Sequence, residues 1–378
     1  MRIFHLHNDG VLELADLPEH MPAQGFIWVA CSRPTFQARL GEIQSRLQAL
    51  VGLQLVDLHV ADLLNAQLPS HYDYTSQYDL LVFRRLASIN GDTPDANGAA
   101  ANATALPLKR KGPPVLRRID TSPVGFAMFD QLLLTVHPTD CAVRDAYAAR
   151  LLATAPLDMR EGRATLAAGV RHPSSTADLM LRLVNLMVDG YLDLRRELTR
   201  QLDHWQTELL KPRARYVNWS SLLEARLSLH QLDDICEDQR SAMQNWIDEL
   251  ETWATPESSA GQRDLDLLKV RSRDVLEHIE RVVHHVRRLE QSTETAVQMH
   301  FSVQSNRTND IMRTLTALTA VFLPLNLIAG IFGMNFEFLP LIHKQDGFWW
   351  ALGSMITIAM GLVALFWRKR YLARTGGQ

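Results

Sequence analysis

Step along the chain from Asn309 by three residues, then four, then three again. The residues met are Asn309, Met312, Thr316, Thr319, Leu323, Asn326, Gly330 and Gly333. On a helix these positions share one stripe. The stripe collects every uncharged polar side chain between Asn309 and Met334 except Thr314. Its groups are amides and hydroxyls, with no charge to hold a bare cation. A divalent ion such as Mg²⁺ sheds its water reluctantly, and amide oxygens can hydrogen-bond that water shell instead of replacing it. Rings of Met312 and Leu323 can close such a path by dewetting. Pro324 has no N–H to give the carbonyl of Ala320, so one more acceptor is freed nearby. A plainer use of the same groups is hydrogen bonding between neighbouring helices, at about 0.6–2 kcal/mol each. Spacing alone leaves both uses open.

Such a stripe needs a helix that crosses an apolar phase. Leu315–Met334 carries no charge and is about the length that a membrane-spanning helix requires. A second uncharged apolar run, Phe348–Trp367, follows a short loop. A polar stripe in lipid is costly unless it faces protein or water. Two spans cannot enclose a pore, so copies must gather about an axis, and closed symmetry is the usual route. Val321, Phe322, Leu325, Ile328 and Phe332 lie opposite the stripe, suited to lipid or to the second span. Arg368, Lys369, Arg370 and Arg374 follow the second span, whereas the loop Asn335–Gly347 sets Lys344 against Glu337 and Asp346. The positive-inside bias puts the C-terminus, and with two spans the N-terminal body, in the cytoplasm. Trp349, Trp350, Trp367 and Tyr371 suit the two interfacial belts.

The body upstream is polar. With 378 residues the chain has room for two or three domains. A net charge of −3 gives no pull toward nucleic acid. Cys31, Cys141 and Cys236 are isolated and form no metal or disulfide pattern, and the start MRIFHLHNDG has no signal core. In residues 1–150, short β-like runs (Phe26–Ser32, Leu53–Val60, Tyr78–Leu86, Pro123–Asp130, Gln131–His137) alternate with a helical pattern over Phe36–Gly52, so an α/β domain is expected. Asp130-Gln131 reads as a hairpin turn. Residues 90–114 read as a flexible loop, with Lys109-Arg110-Lys111 as a solvated basic triplet. Residues 151–310 are expected to form a helical hairpin and stalk. Thr176–Leu210 and Trp219–Ala254 are amphipathic runs, and a third opens at Arg263 with no Pro or Gly before Pro324. Unbroken to Met334 it is about 108 Å long at 1.5 Å per residue, too long to stand without neighbours or copies. Residues 311–378 complete the chain with spans at about 312–334 and 348–367 and a basic tail.

Gly333-Met334-Asn335, at the outer end of the first of two C-terminal spans, is a Gly-x-Asn motif. With Ile328–Pro340 (IAGIFGMNFEFLP) around it, it resembles the CorA-type two-span divalent-cation channels, a family of metal-ion transporters that includes the ZntB-type zinc branch. The motif resemblance is strong from about Asn309 onward, with an echo in Leu132–Pro138. It implies a funnel-shaped homopentamer: an α/β cytoplasmic domain, a helical hairpin and stalk, and two transmembrane helices in the bacterial inner membrane. It implies a selectivity filter of Gly333, Met334 and Asn335, with Asn335 contacting the hydrated ion. Asn309, Met312, Leu323, Asn326 and Gly330 then line the pore beside Thr316 and Thr319, and Leu315 joins the constriction. The run Leu339-Pro340-Leu341-Ile342 departs from the Met-Pro-Glu-Leu common in the family, so a loop acid is missing. Phe336-Glu337 favours the magnesium branch.

In that branch acids on the stalk meet acids of a neighbouring subunit, and bound Mg²⁺ holds the channel shut. Asp274 falls at such a position with Asp266 and Glu277 near it, and Asp73 and Asp79 are candidate partners; ordinary solvated stalk charge is the alternative. His278 and His285 share a face but have no further ligand. The leading expectation is a passive channel for Mg²⁺, with Co²⁺ or Ni²⁺ as further cargo. A proton-coupled Zn²⁺ transporter of the same build is second, and a non-conducting membrane-tethered scaffold is third. No enzyme motif is found, no cofactor is required, and the expected partners are further copies of the chain, lipid and divalent cations.

Overall fold

A computed structural model describes residues 1–7, 10–87, 119–153, 172–210, 219–334 and 347–368. The chain divides into two compact units, Met1–Thr295 and Ala296–Gln378. The first is built on one sheet of seven strands: β1 (Arg2–His7), β2 (Gly10–Leu14), β3 (Phe26–Ser32), β4 (His71–Tyr74), β5 (Asp79–Leu86), β6 (Thr121–Met128) and β7 (Leu132–His137), in the order β2-β1-β3-β7-β6-β5-β4. All neighbours are antiparallel except β3 and β7, which run parallel.

Strand β3 shows why both faces must be covered. Phe26, Trp28 and Ala30 enter one core, and Ile27, Val29 and Cys31 enter the other. A strand apolar on both sides needs a layer over each. One face is covered by α1 (Arg33–Ala38), α2 (Leu40–Val51) and α3 (Asp57–Leu64). The other is covered by α4 (Ala142–Ala153), α5 (Thr176–Leu210), α6 (Trp219–Thr252) and the first part of α7 (Ser259–Phe332). The α/β reading therefore holds, as a three-layer unit.

Two local expectations are corrected. Leu53–Val60 is not a strand: α3 begins at Asp57, an acid in its first turn. Its buried residues are His59, Val60 and Leu63, a helical spacing that the β-branched Val56 and Val60 obscured. The helix expected over Phe36–Gly52 is broken at Arg39, where the backbone leaves the helical region, and Gly52 ends α2 at φ 78°, a conformation that glycine adopts without cost. The hairpin at Asp130-Gln131 is present, with Phe129 N–H donating to the Leu132 carbonyl at 2.8 Å.

Helices α5 and α6 match the amphipathic runs, and α7 is a single helix of 74 residues with Pro324 inside it. The second unit holds the end of α7 and α8 (Gly347–Arg368). Both helices are long and apolar enough to cross a membrane, and only 6% of each apolar window is buried, so neither is the core helix of a soluble domain.

Candidate functional site

From Phe301 to Thr316 every residue of α7 is exposed. Beyond that, cover falls on one face only. Ala317 is 5% exposed, and Ala320, Val321, Pro324, Leu325 and Ile328 are partly covered. Their spacing of three and one is a helical face. The expected stripe lies on the rest of the circumference. Asn309, Met312, Thr316, Thr319, Leu323, Asn326, Gly330 and Gly333 are all exposed within one chain, as is Leu315. Of the bulky positions opposite the stripe, Val321, Leu325 and Ile328 fall on the covered face, whereas Phe322 and Phe332 do not. In α8 the covered positions are Gly347, Ala351, Leu352, Met355, Ala359, Leu362 and Phe366, again mainly one face.

The stripe's groups point their chemistry outward. The Thr319 hydroxyl donates to the Leu315 carbonyl at 2.9 Å, which uses its proton and leaves its oxygen an acceptor. Thr314, off the stripe, does the same with Asp310 at 2.9 Å. A Cβ on Gly330 would meet nothing within 4 Å, so none of the described residues requires a glycine there. At Gly333 a Cβ would lie 3.0 Å from the Ala329 carbonyl oxygen. Gly333 N–H donates to that carbonyl at 2.9 Å, and Met334 N–H reaches the Ile331 carbonyl at 3.3 Å, so the helix tightens as the Gly-x-Asn motif begins. Asn335, with Phe336 and Glu337, lies outside the described residues. Pro324 sits on the covered face, so the acceptor it frees is not on the stripe.

The stalk acids are scattered within one chain. The Asp274 side chain is 58% exposed and 3.7 Å from His278 Nε2. Glu277 pairs with Arg281 on the next turn, and Asp266 is exposed. Asp73 accepts from the His59 ring at 3.1 Å and from Tyr74 N–H at 2.8 Å. Burial pushes its carboxyl up, but the His59 and Tyr74 hydrogen bonds outweigh that and hold it low. Asp79 accepts from the Tyr72 hydroxyl at 2.9 Å. Burial raises its carboxyl, with Glu249 and Asp130 adding to the rise, and all three line one cleft of about 810 Å³. Among the described residues no three His, Cys, Asp or Glu side chains gather as a metal site. His285 bonds the Thr199 hydroxyl at 2.8 Å and is not a ligand in waiting. What sequence reasoning missed is a basic cavity between α4, α5 and α7, whose arginines lie on three separate segments and show no shared spacing.

A sheet-and-helix unit whose last helix runs on into an apolar, polar-striped stretch, followed by a second apolar helix, defines a two-span membrane protein. The chain belongs to the CorA-like Mg²⁺ transporter protein family, whose family model matches residues 109–370. It is 35% identical over 100 residues to the cobalt/magnesium transport protein CorA of Thermotoga maritima, covering 26% of this chain and 28% of that one. The chain matches between 28% and 32% of the length of such curated relatives. Its fold is similar to that of the CorA magnesium transporter of Methanocaldococcus jannaschii, with a TM-score of 0.68 at 16% identity over 100% of this chain and 98% of that one. It is also similar to the ZntB cytoplasmic domain of Vibrio parahaemolyticus, with a TM-score of 0.53 at 13% identity over 82% and 98%.

Proposed function

We propose that this chain is one subunit of a homopentameric channel that carries Mg²⁺, with Co²⁺ or Ni²⁺ as further cargo, across the bacterial inner membrane. One observation carries the reading: the described residues of its own chain leave the polar stripe of α7 uncovered, and from Ala317 onward they cover a different face of the same helix. Uncovered amides and hydroxyls in a membrane-spanning stretch need a polar partner, and copies of the same stripe around an axis provide one. Family membership supports the cargo, and the Thermotoga relative is named for cobalt and magnesium. Gly333, Met334 and Asn335 form the filter, and Asn335 hydrogen-bonds the ion's water. Asn309, Thr316, Thr319, Asn326 and Gly330 line the path, and Met312, Leu315 and Leu323 constrict it. Both termini lie in the cytoplasm.

The same copies build the regulatory metal site. Asp274, Asp266 and Glu277 on α7 face Asp73 and Asp79 of a neighbouring copy, and bound Mg²⁺ relieves the repulsion. The exposure of the Asp274 side chain and the repulsion already felt by Asp79 support this assignment.

The test is ion uptake by purified protein in liposomes. Wild-type protein admits Mg²⁺ down a membrane potential, and Asn335→Ala loses at least about tenfold of that flux, a loss of one hydrogen-bonding ring worth on the order of 1.4 kcal/mol. Uptake of Zn²⁺ driven by a pH gradient, with none of Mg²⁺, would assign the chain to the zinc branch. Absence of any flux would leave a scaffold.

A further inference from the structure

Helices α4, α5 and α7 line an open cavity of about 290 Å³ in the first unit. Arg150 of α4, Arg182 and Asn185 of α5, and Arg271 and Asp274 of α7 line it together with Tyr147. Tyr147 is only 5% exposed, yet no described residue accepts a hydrogen bond from its hydroxyl. The reason is chemical. The charges that act on this phenol are Arg182, Arg150 and Arg271, and guanidinium groups donate but never accept. The phenolic proton is left without an acceptor, a costly state for a buried group.

The neighbouring carboxylates do not fill the gap. Asp178 accepts from Arg182 Nε at 3.2 Å, from Ser174 N–H at 3.2 Å and from Arg271. Its side chain is 5% exposed, so it fixes the two guanidinium groups and is itself saturated. Asp274 is turned to solvent beside His278. Arg150, Arg182 and Arg271 thus bring three guanidinium groups to the lining. Asn185 Oδ1 is also buried without a partner, and an amide turned over would present its N–H₂ instead. A single water occupies about 30 Å³, far less than this space, which is near the lower end for small-molecule sites.

We propose that this cavity binds a small oxyanion-bearing molecule, its phosphate or carboxylate group accepting from the Tyr147 hydroxyl and the guanidinium groups of Arg150, Arg182 and Arg271. The aliphatic side chains of Leu151, Leu181 and Val275 take its apolar part. The site is separate from the ion path and does not depend on the channel reading.

Calorimetric titration of the full-length protein in detergent and metal-free buffer tests it, with inorganic phosphate, pyrophosphate and succinate as probes. At least one binds saturably, once per chain, with Kd below about 1 mM, and whether phosphate or carboxylate wins identifies the class. Tyr147→Phe and Arg150→Gln each weaken that binding about tenfold, about 1.4 kcal/mol. Tyr147→Phe keeps the ring that packs against Trp28, so it remains decisive if the arginine variant fails to fold. No saturable binding of any probe, or equal binding in both variants and wild type, overturns the proposal.

Discussion

His137 ends β7 with 1% of its surface exposed, and its ring hydrogen-bonds the Pro138 carbonyl at 2.8 Å. Burial lowers its pKa to about 4, with the Arg144 and Arg85 charges adding to the fall against the Pro138 bond and Asp145. The folded protein therefore keeps this imidazole neutral where the unfolded chain, near 6.5, takes a proton. The stabilisation is fully present above pH 6.5 and is lost as pH falls from there toward 4. Over the whole window the loss amounts to roughly 3 kcal/mol at 1.36 kcal/mol per unit. Urea unfolding at pH 7 and pH 5 is expected to show the slope in wild type and a shallower one in His137→Gln. Asp178 makes the complementary case. Its carboxylate holds Arg182 of α5 and Arg271 of α7, so Asp178→Ala removes an acceptor shared by two helices and costs about 1.5–3 kcal/mol, read as a fall in the unfolding midpoint. Neither role was visible in the sequence, because burial and long-range pairing decide both. The stripe of α7 was visible, since it rests on local helical spacing alone. The stalk acids were located as residues, but no grouping of them follows from one chain.

At the scale of elements, periodicity told most where the element is long. Helices α5 and α6 and the 74-residue α7 repeat their apolar positions over many turns, and β3, β5, β6 and β7 are rich in β-branched and aromatic residues. Strands β1, β2 and β4 went unread. They are four to six residues long, and β2 and β4 are the sheet edges, where exposed residues such as Leu12 and Tyr74 blur the alternation. Their pairing is fixed by backbone geometry that composition does not report. Gly25, just before β3, is the sharpest instance. Its φ is +81°, and a Cβ there would lie 2.0 Å from the Leu6 carbonyl oxygen of β1. Both the left-handed backbone and the contact exclude a side chain. Gly25→Ala is expected to destabilise the first unit by on the order of 3 kcal/mol. Gly52→Ala has the same sign of φ but open space around the Cβ and should cost only about 1 kcal/mol. Thermal melts of the two variants side by side separate steric exclusion from backbone preference.

At the scale of the whole molecule, the exposed run Phe301–Thr316 is the decisive fact. A helix gains most of its stability by burying a face, and this run buries none against the described residues of its own chain. Exposed Ile311 and Met312 are apolar, so copies of the chain are the natural cover, and the stripe predicts which face they share. All three native cysteines, Cys31, Cys141 and Cys236, are buried, which leaves a quiet background for introduced thiols. Met312→Cys places a thiol on the stripe, and Ala317→Cys places one on the face already covered. Mild oxidation in native membranes is expected to link subunits through the first and not the second, because a disulfide needs Cα atoms within about 7 Å. Linkage through position 317 alone would turn the stripe away from the shared axis and remove the basis for a pore. Linkage through neither, together with a single-copy mass in detergent, would mean that α7 finds its cover in another protein. One thiol per chain links subunits only in pairs, so the count comes from the mass of the intact complex in detergent, and five copies is the outcome that the pentameric reading requires.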